Sequence, residues 1–316
     1  MNKKRIMVLN FIQTNGAIIF FCALVIFNCF FTRNFMRKQT FWNLAIQSFP
    51  TLMLGFGSTL VISTGHINIA LGSMMSLAAV LFAMMIPSGC DFFVALLVCI
   101  LISIIPSLIS GVLIAKFKFP AMIVTMAFMY ILRGISSVSC GGFAVTYKVP
   151  WIQNLTMIKV GGYVPLQFIV VLVIFAILYF FVQRTSLGIR MQATGVNAVA
   201  SEISGINVRW VVMVGFIICT ALAAFAGVEQ AMMVSIGDPS LGSTNTFDGI
   251  CAAVIGGTPM GGGRANLVGT LFAGLFLQLI SIMCNMNGVH YAYAYIIKAG
   301  LIFIACAVQV LGQKDN

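Results

Sequence analysis

Long uncharged apolar runs recur along this chain, and they restrict its possible folds more than any other feature. Residues 11–31, 92–115, 164–182, 210–228 and 265–283 hold no Asp, Glu, Lys or Arg, and 291–311 holds only Lys298. About 20 apolar residues in a helix cross the hydrocarbon core of a bilayer. Within lipid every backbone N–H and C=O must find a partner inside the protein, so such runs fold as helices. Two more apolar runs, 44–63 and 71–87, form an interrupted pair joined by Thr64-Gly65-His66-Ile67-Asn68. Residues 120–137 carry Arg133, and 247–258 is too short for a full crossing. The expected fold is an all-α polytopic transmembrane helical bundle, a single domain over 1–316. About ten membrane segments are expected, some short or interrupted. The first helix is 11–31, the last is 291–311, and short, interrupted segments occupy 247–283.

Composition excludes the main alternatives. Charged residues make up 7% of the chain and hydrophobic ones 61%, where a soluble domain carries roughly 25% charged. The net charge of +11 comes from 17 basic residues scattered among apolar spans, not gathered on one face as nucleic-acid binding requires. The nine cysteines form no Cys-x-x-Cys pair and read as small hydrophobes in helices. Cys90 and Cys140 fall in candidate external loops, where a disulfide is conceivable. Lys3, Lys4 and Arg5 precede the first apolar run as in a signal peptide. That run is of spanning length and ends in Cys29-Phe30-Phe31-Thr32-Arg33 without a small-residue cleavage site, so it reads as an uncleaved helix.

Basic residues set the orientation. With Lys3, Lys4 and Arg5 inside, Lys116, Lys118, Arg184, Arg190, Arg209, Arg264 and Lys314 also fall inside, and both termini are cytoplasmic. Arg33, Arg37 and Lys38 conflict, as do Lys148 and Lys159, which would lie outside. The 32–43 stretch can be an interfacial segment with Trp42 at headgroup level. Ser103, Ser107, Gly111 and Ala115 recur every four residues, as do Ala223 with Gly227 and Gly269 with Ala273, a spacing that lets helices approach closely in lipid.

Two places break the helical pattern, one in each half of the chain. The first runs from Val61 to Gly72 and includes Thr64, Gly65, His66 and Asn68. The second runs from Val254 to Arg264 and includes Gly256, Gly257 and Thr258. Unwound backbone at membrane depth persists only inside protein or beside water, and paired interruptions point to a transporter's pathway. The alternative is that His66 is a hydrogen-bonded structural residue and that the glycines form a flexible turn. Arg133, Glu229, Asp248 and Lys298 are the ionisable residues near the membrane interior, each costly unless paired or facing water. Asp248 with Lys298 is one possible pair, while Glu229 lies near a helix end and can be solvated. No catalytic constellation, metal-ligand spacing or cofactor motif is present, and an enzyme is not expected.

The longest polar stretch is the loop 183–209. Asn197 can cap a helix through Ala198 to Ile203, and Gly205 can end it. A capped helix flanked by basic residues suits docking to a cytosolic partner, and an ordinary connector is the alternative. The chain lacks Gly-x-x-x-x-Gly-Lys-Ser/Thr, so an ATPase acting with it is another polypeptide.

At this loop a family resemblance enters. Gly188-x-Arg190, Ala193-x-Gly195-x-Asn197 and Ser204-Gly205-Ile206-Asn207-Val208 together resemble the cytoplasmic loop of ribose-type ATP-binding-cassette (ABC) importer permeases. Val61 to Gly72 resembles that family's Gly-Gly-Ile-Asp-Leu-Ser-x-Gly motif. Lys118 to Thr125, with Arg133-Gly134, resembles its Pro-x-x-Ile-x-Thr segment. Phe247-Asp248 through Gly256-Gly257-Thr258 and Gly262-Gly263-Arg264 resembles its Ile-Gly-Gly-Thr region, and Lys298 also fits. The resemblance covers roughly 45–310 in order.

It implies a permease in the cell (inner) membrane, translocating a sugar or similar small polar solute. The implied partners are a cytosolic ABC ATPase, a second permease subunit (identical or paralogous), an extracytoplasmic solute-binding protein and membrane lipid, with no nucleic acid. Arg190, Gly195, Asn197, Glu202, Ser204 and Gly205 would form the ATPase coupling loop, and the interrupted segments would line the path. His66, Asn68, Ala70 and Thr246 depart from the family pattern and leave the solute open. Rival readings are a permease for nucleosides or branched-chain amino acids, and an ion-coupled secondary transporter.

Overall fold

The computed structural model describes residues 3–300 apart from Tyr163 and Tyr291, together with Phe303, and it describes side chains from Gly16 onward. In chain order the elements are α1 (Lys3–Phe31), α2 (Lys38–Ser63), α3 (Leu71–Met85), α4 (Phe92–Ala115), α5 (Ala121–Ser139), β1 (Val145–Thr146) and α6 (Pro150–Thr156). There follow β2 (Lys159–Val160), β3 (Val164–Pro165), α7 (Leu166–Arg184), α8 (Ser186–Val196), α9 (Ala198–Ile203) and α10 (Val208–Val234). The last are β4 (Ile236–Gly237), α11 (Asn245–Ile255) and α12 (Leu267–Met286), and residues 292–300 are helical as well. β1 pairs antiparallel with β4, and β2 with β3.

The protein is all-α and polytopic, but the described residues do not show the expected count of about ten membrane segments. Six helices are long and apolar enough to cross a membrane: α2, α4, α5, α7, α10 and α12. Three more apolar helices are shorter, Gly16–Phe31, Leu71–Met85 and Asn245–Ile255. The physical reason is length: α3 and α11, at 15 and 11 residues, span about 22 and 16 Å at 1.5 Å per residue. Most of the expected last span, 291–311, lies outside the described residues.

The bundle has a centre and a rim. In the most apolar stretch of α2, 89% of residues are buried, against 72% in α12, 61% in α10 and only 22% in each of α4, α5 and α7. α2 and α10 pack on each other, α10 also on α3 and α4, and α2 also on α11 and α12. Small residues make the close approaches. Gly57 faces the backbone of Cys219, and Gly227 sits so close to the Met75 carbonyl that a methyl group would not fit. Ser107 accepts a 2.9 Å hydrogen bond from Thr220, joining α4 to α10.

The bundle has two ends. At one, called here the junction face, the turns after α2 and α11 meet α8. At the opposite face the β1–β4 pair lies beside the end of α10, and Asn287 donates to Thr32 (3.1 Å). Residues 32–43 are a short turn that runs straight into α2. Turns occupy 32–37 and α2 has begun by Lys38, so Trp42 sits early in α2, its ring 5.1 Å from Lys159 Nζ. Cys90 and Cys140 are both free thiols.

One non-helical stretch was not expected. After α10, residues 235–244 turn back along α3, with Gly237 against Ala79, Val80 and Ala83, and Gly242 against Gly72. That path covers about 16 Å of α3. Backbone partners come from neighbouring protein, as burial requires: Gly242 N donates to Ser76 Oγ (2.9 Å) and Gly72 N to Thr246 Oγ1 (2.9 Å). Asp238 Oδ1 accepts from Ser240 N and Oγ, both at 2.7 Å.

Candidate functional site

The two sequence breaks, separated by some two hundred residues, meet at the junction face together with the end of α8. Gly263 N donates to the Ser63 carbonyl (3.0 Å). Gly195, near the end of α8, lies in the same place: a Cβ on it would come 2.0 Å from Ser63 O and 2.4 Å from Gly263 N. A Cβ on Gly262 would lie 2.7 Å from Gly65 N and 3.0 Å from Gly195 Cα. Three chain segments thus touch backbone to backbone, which only residues lacking a side chain permit. Gly65 and Gly262 also have φ of +83° and +87°, the left-handed region that glycine enters without steric cost.

The polar side chains of the breaks are largely committed to holding their own turns. Thr64, 3% exposed, donates to the Val61 carbonyl (2.7 Å). Asn68 Oδ1 accepts from Ala70 N (3.0 Å) ahead of α3. His66 Nδ1 donates to the Thr64 carbonyl (3.0 Å), its ring edge-on to Phe216. In the second break Thr258, fully buried, accepts from Asn266 N (3.2 Å). Asn266 in turn donates to the Gly256 carbonyl (2.8 Å) and accepts from Gly269 N (3.0 Å). Gly256 lies against Gly269 and Thr270, and Gly257 has φ +89°. Asn266 was missed by sequence reasoning. Its signal is an Asn just ahead of an apolar run, the position of a helix cap.

The loop 183–209 is more ordered than the sequence suggested, because α8 and α9 together fill most of it. Thr185 caps α8 by accepting from Gly188 N (3.3 Å). Asn197 then caps α9, accepting from Ala200 N (3.0 Å), and Gly205, at φ +81°, ends the turn and donates to Glu202 O (3.0 Å). Ser204 Oγ donates to Ala200 O (2.9 Å). Arg190, Asn197, Glu202, Ser204 and Gly205 are all exposed, as are the apolar Val196 (75%), Val199 (67%) and Ile203 (83%). Ser201, 5% exposed, faces inward.

The intramembrane charges stand apart from the junction. Lys298 Nζ lies 2.8 Å from Asp248 Oδ2, with both side chains largely buried. Glu229, for which solvation was one option, is 3% exposed, and neither of its oxygens has a partner among the described residues. Its place near the end of α10 is thus no guide to exposure, since Ala226, Val228 and Ala231 around it are buried as well. Arg133 is half-buried on α5. Thr246, one of the departures, is the acceptor for Gly72 N across the α3–α11 contact. Among the described residues no group of three or more His, Cys, Asp or Glu could hold a metal.

Residues 40–306 match the family described as "Branched-chain amino acid transport system / permease component". The ribose import permease protein RbsC of Bacillus subtilis (strain 168) is 31% identical over 96% of this chain and 94% of its own length. RbsC of Escherichia coli (strain K12) is 29% identical over 87% of each chain. The galactofuranose transporter permease protein YtfT of the same organism is 28% identical over 84% of this chain and 77% of its own. No solved structure matches the chain.

Proposed function

The chain belongs to the branched-chain amino acid transport system / permease component family, and from that premise we propose that it is the membrane-spanning permease subunit of an ABC importer for a sugar. Its named relatives carry ribose and galactofuranose. It is a transport subunit and a multi-pass protein of the inner membrane. ATP hydrolysis falls to a cytosolic ATPase, and delivery to an extracytoplasmic binding protein. A second permease copy or a paralogue completes the complex. The junction face and both termini are cytoplasmic, and the full crossing count is about ten once the short helices and the last segment are included.

The observation that carries the mechanism is the three-way glycine contact of Gly65, Gly195 and Gly262. α9 presents Val199 and Ile203 outward, apolar side chains that a docked ATPase would cover. Movement of α9 by that partner passes through α8 to Gly195, and from there to both breaks at once. The contacts are backbone to backbone and leave little slack, since packed interfaces shift between discrete arrangements instead of deforming smoothly. In this reading Arg190, Gly195, Asn197, Glu202, Ser204 and Gly205 form the coupling segment. Thr64, Gly65, His66, Asn68, Gly256, Gly257 and Thr258 border the solute's exit at the junction face.

The family's description gives a second reading, a branched-chain amino acid. The named relatives, ribose and galactofuranose permeases, favour the sugar over it. Uptake by the complete transporter of labelled ribose, xylose, galactose and leucine separates these. Sugar uptake that depends on ATP and survives an uncoupler is the expected result. Leucine uptake alone would overturn the sugar, and loss of uptake with the uncoupler would point to an ion-coupled carrier.

A further inference from the structure

One cavity is too polar for a simple helix bundle in lipid. It measures about 500 Å³ and lies between α2, α11, α12 and the helical segment 292–300. Gln47, Asn245, Asp248, Gln278, Ser281 and Lys298 are among the residues that line it. Gln47 stands nine residues into α2 and Gln278 eight from the end of α12. At 1.5 Å per residue these lie about 14 and 12 Å in from the face opposite the junction. Polar side chains at such depth are costly unless they are partnered or meet water.

The partners present use only part of their capacity. Gln278 Nε2 donates to Gln47 Oε1 (3.1 Å), and Lys298 Nζ donates to Asp248 Oδ2 (2.8 Å). An amide keeps further donor and acceptor positions after one bond, an ammonium has three hydrogens, and a carboxylate has about four lone-pair sites. The charges cancel, so the lining is neutral as a whole yet rich in both donors and acceptors. A sugar hydroxyl donates and accepts at the same atom, which suits such a wall. At about 30 Å³ per water, the space equals roughly seventeen water volumes, enough for a monosaccharide with part of its hydration shell. It also falls within the range of about 300–1,000 Å³ usual for small-molecule sites.

We propose that this cavity is a binding chamber for a neutral, hydroxyl-rich solute of monosaccharide size, contacted by Gln47, Asp248, Gln278 and Lys298. The proposal rests on the sugar-permease reading above but places solute contact away from the two sequence breaks. Lys298 holds the Asp248 carboxylate in place as an acceptor, and the two amides adjust to hydroxyl orientation.

The test uses the whole transporter in proteoliposomes, with labelled ribose, xylose and galactose identifying the sugar that the wild type takes up. Gln278→Cys is then treated with a membrane-impermeant methanethiosulfonate, and mass spectrometry follows modification at that position. Gln47→Cys is the parallel probe should the first variant assemble poorly. The expected result is labelling that slows at least about fivefold with sugar-loaded rather than sugar-free binding protein, an occupancy of roughly four-fifths. Gln47→Leu should also lower uptake of that sugar about tenfold. Failure of both positions to label, or equal rates with loaded and empty binding protein, would overturn the chamber. A wild-type complex that takes up none of the three sugars would instead overturn the sugar reading, and the chamber's assignment with it.

Discussion

The junction face and the polar cavity are built on opposite plans. At the junction, Gly65, Gly195 and Gly262 bring three segments into backbone contact, and the polar atoms of Thr64, Asn68, Thr258 and Asn266 are committed to neighbouring backbone. Around the cavity, longer side chains hold one another across open space. The first arrangement transmits displacement, because nothing in it can yield without moving a chain segment. The second can rearrange its hydrogen bonds without moving backbone. If the coupling and chamber proposals hold, force transmission and solute contact draw on different parts of one chain, and the two parts should fail in different ways.

The largest expected effect is at the edge of the junction. Gly205→Pro removes an N–H that donates to Glu202 and demands a negative φ where the chain has +81°. Sugar-stimulated ATP hydrolysis by the assembled transporter should be lost while membrane insertion is retained. Normal stimulated hydrolysis would detach α9 from coupling.

Charge removal should separate the two regions next. Lys298→Met leaves Asp248 buried without its partner, a loss of about 3–5 kcal/mol, visible as a lowered thermal unfolding midpoint in detergent. The double variant with Asp248→Asn should recover most of that stability. If it recovers none, the pair's contribution lies in packing and not in charge.

Size should matter only at the junction. Gly195→Ala drives a methyl into the Ser63 carbonyl and Gly263 N–H, an overpacking cost of about 1–3 kcal/mol, and uptake should fall by one to two orders of magnitude. Ser281→Ala, beside the cavity, should change uptake less than about threefold. Equal sensitivity at both positions would erase the contrast.

The smallest effect expected is at the α9 cap. Asn197→Ala removes the acceptor for Ala200 N and should cost about 1 kcal/mol of local helix stability, read as faster amide exchange over 198–204.

Much of this was legible in the chain. The apolar runs gave α4, α5, α7 and α12 to within about three residues at each end and α2 and α10 to within six at one end, because apolar length in lipid leaves little choice but helix. The cap at Asn197 and the stop at Gly205 were readable because both are local. The meeting of Gly65 with Gly195 and Gly262 was not, since nothing in a glycine says which distant backbone it will touch. α8 was taken for loop because its short amphipathic pattern is weak beside the basic residues around it. Solvation was left open for Glu229 because burial depends on which other elements pack around a helix end, and that is not a local property of the sequence. The cavity residues escaped for a similar reason: Gln47 and Gln278 are single polar positions within apolar runs, unremarkable until α2 and α12 bring them together.

The stretch 235–244 also bears on how the protein is made. Gly242 N donates to Ser76, the Gly242 carbonyl accepts from Thr246 at the start of α11, and Gly237 and Gly242 lie tight against α3. Left alone in hydrocarbon the stretch would expose polar groups that lipid cannot satisfy. It therefore cannot enter the bilayer as an independent unit, and must wait for a template. α3 emerges from the ribosome well before it and supplies that template, so the order of the chain matches the order of assembly. A permuted chain that delivered α3 last should insert its long helices normally and stall with this one segment left outside.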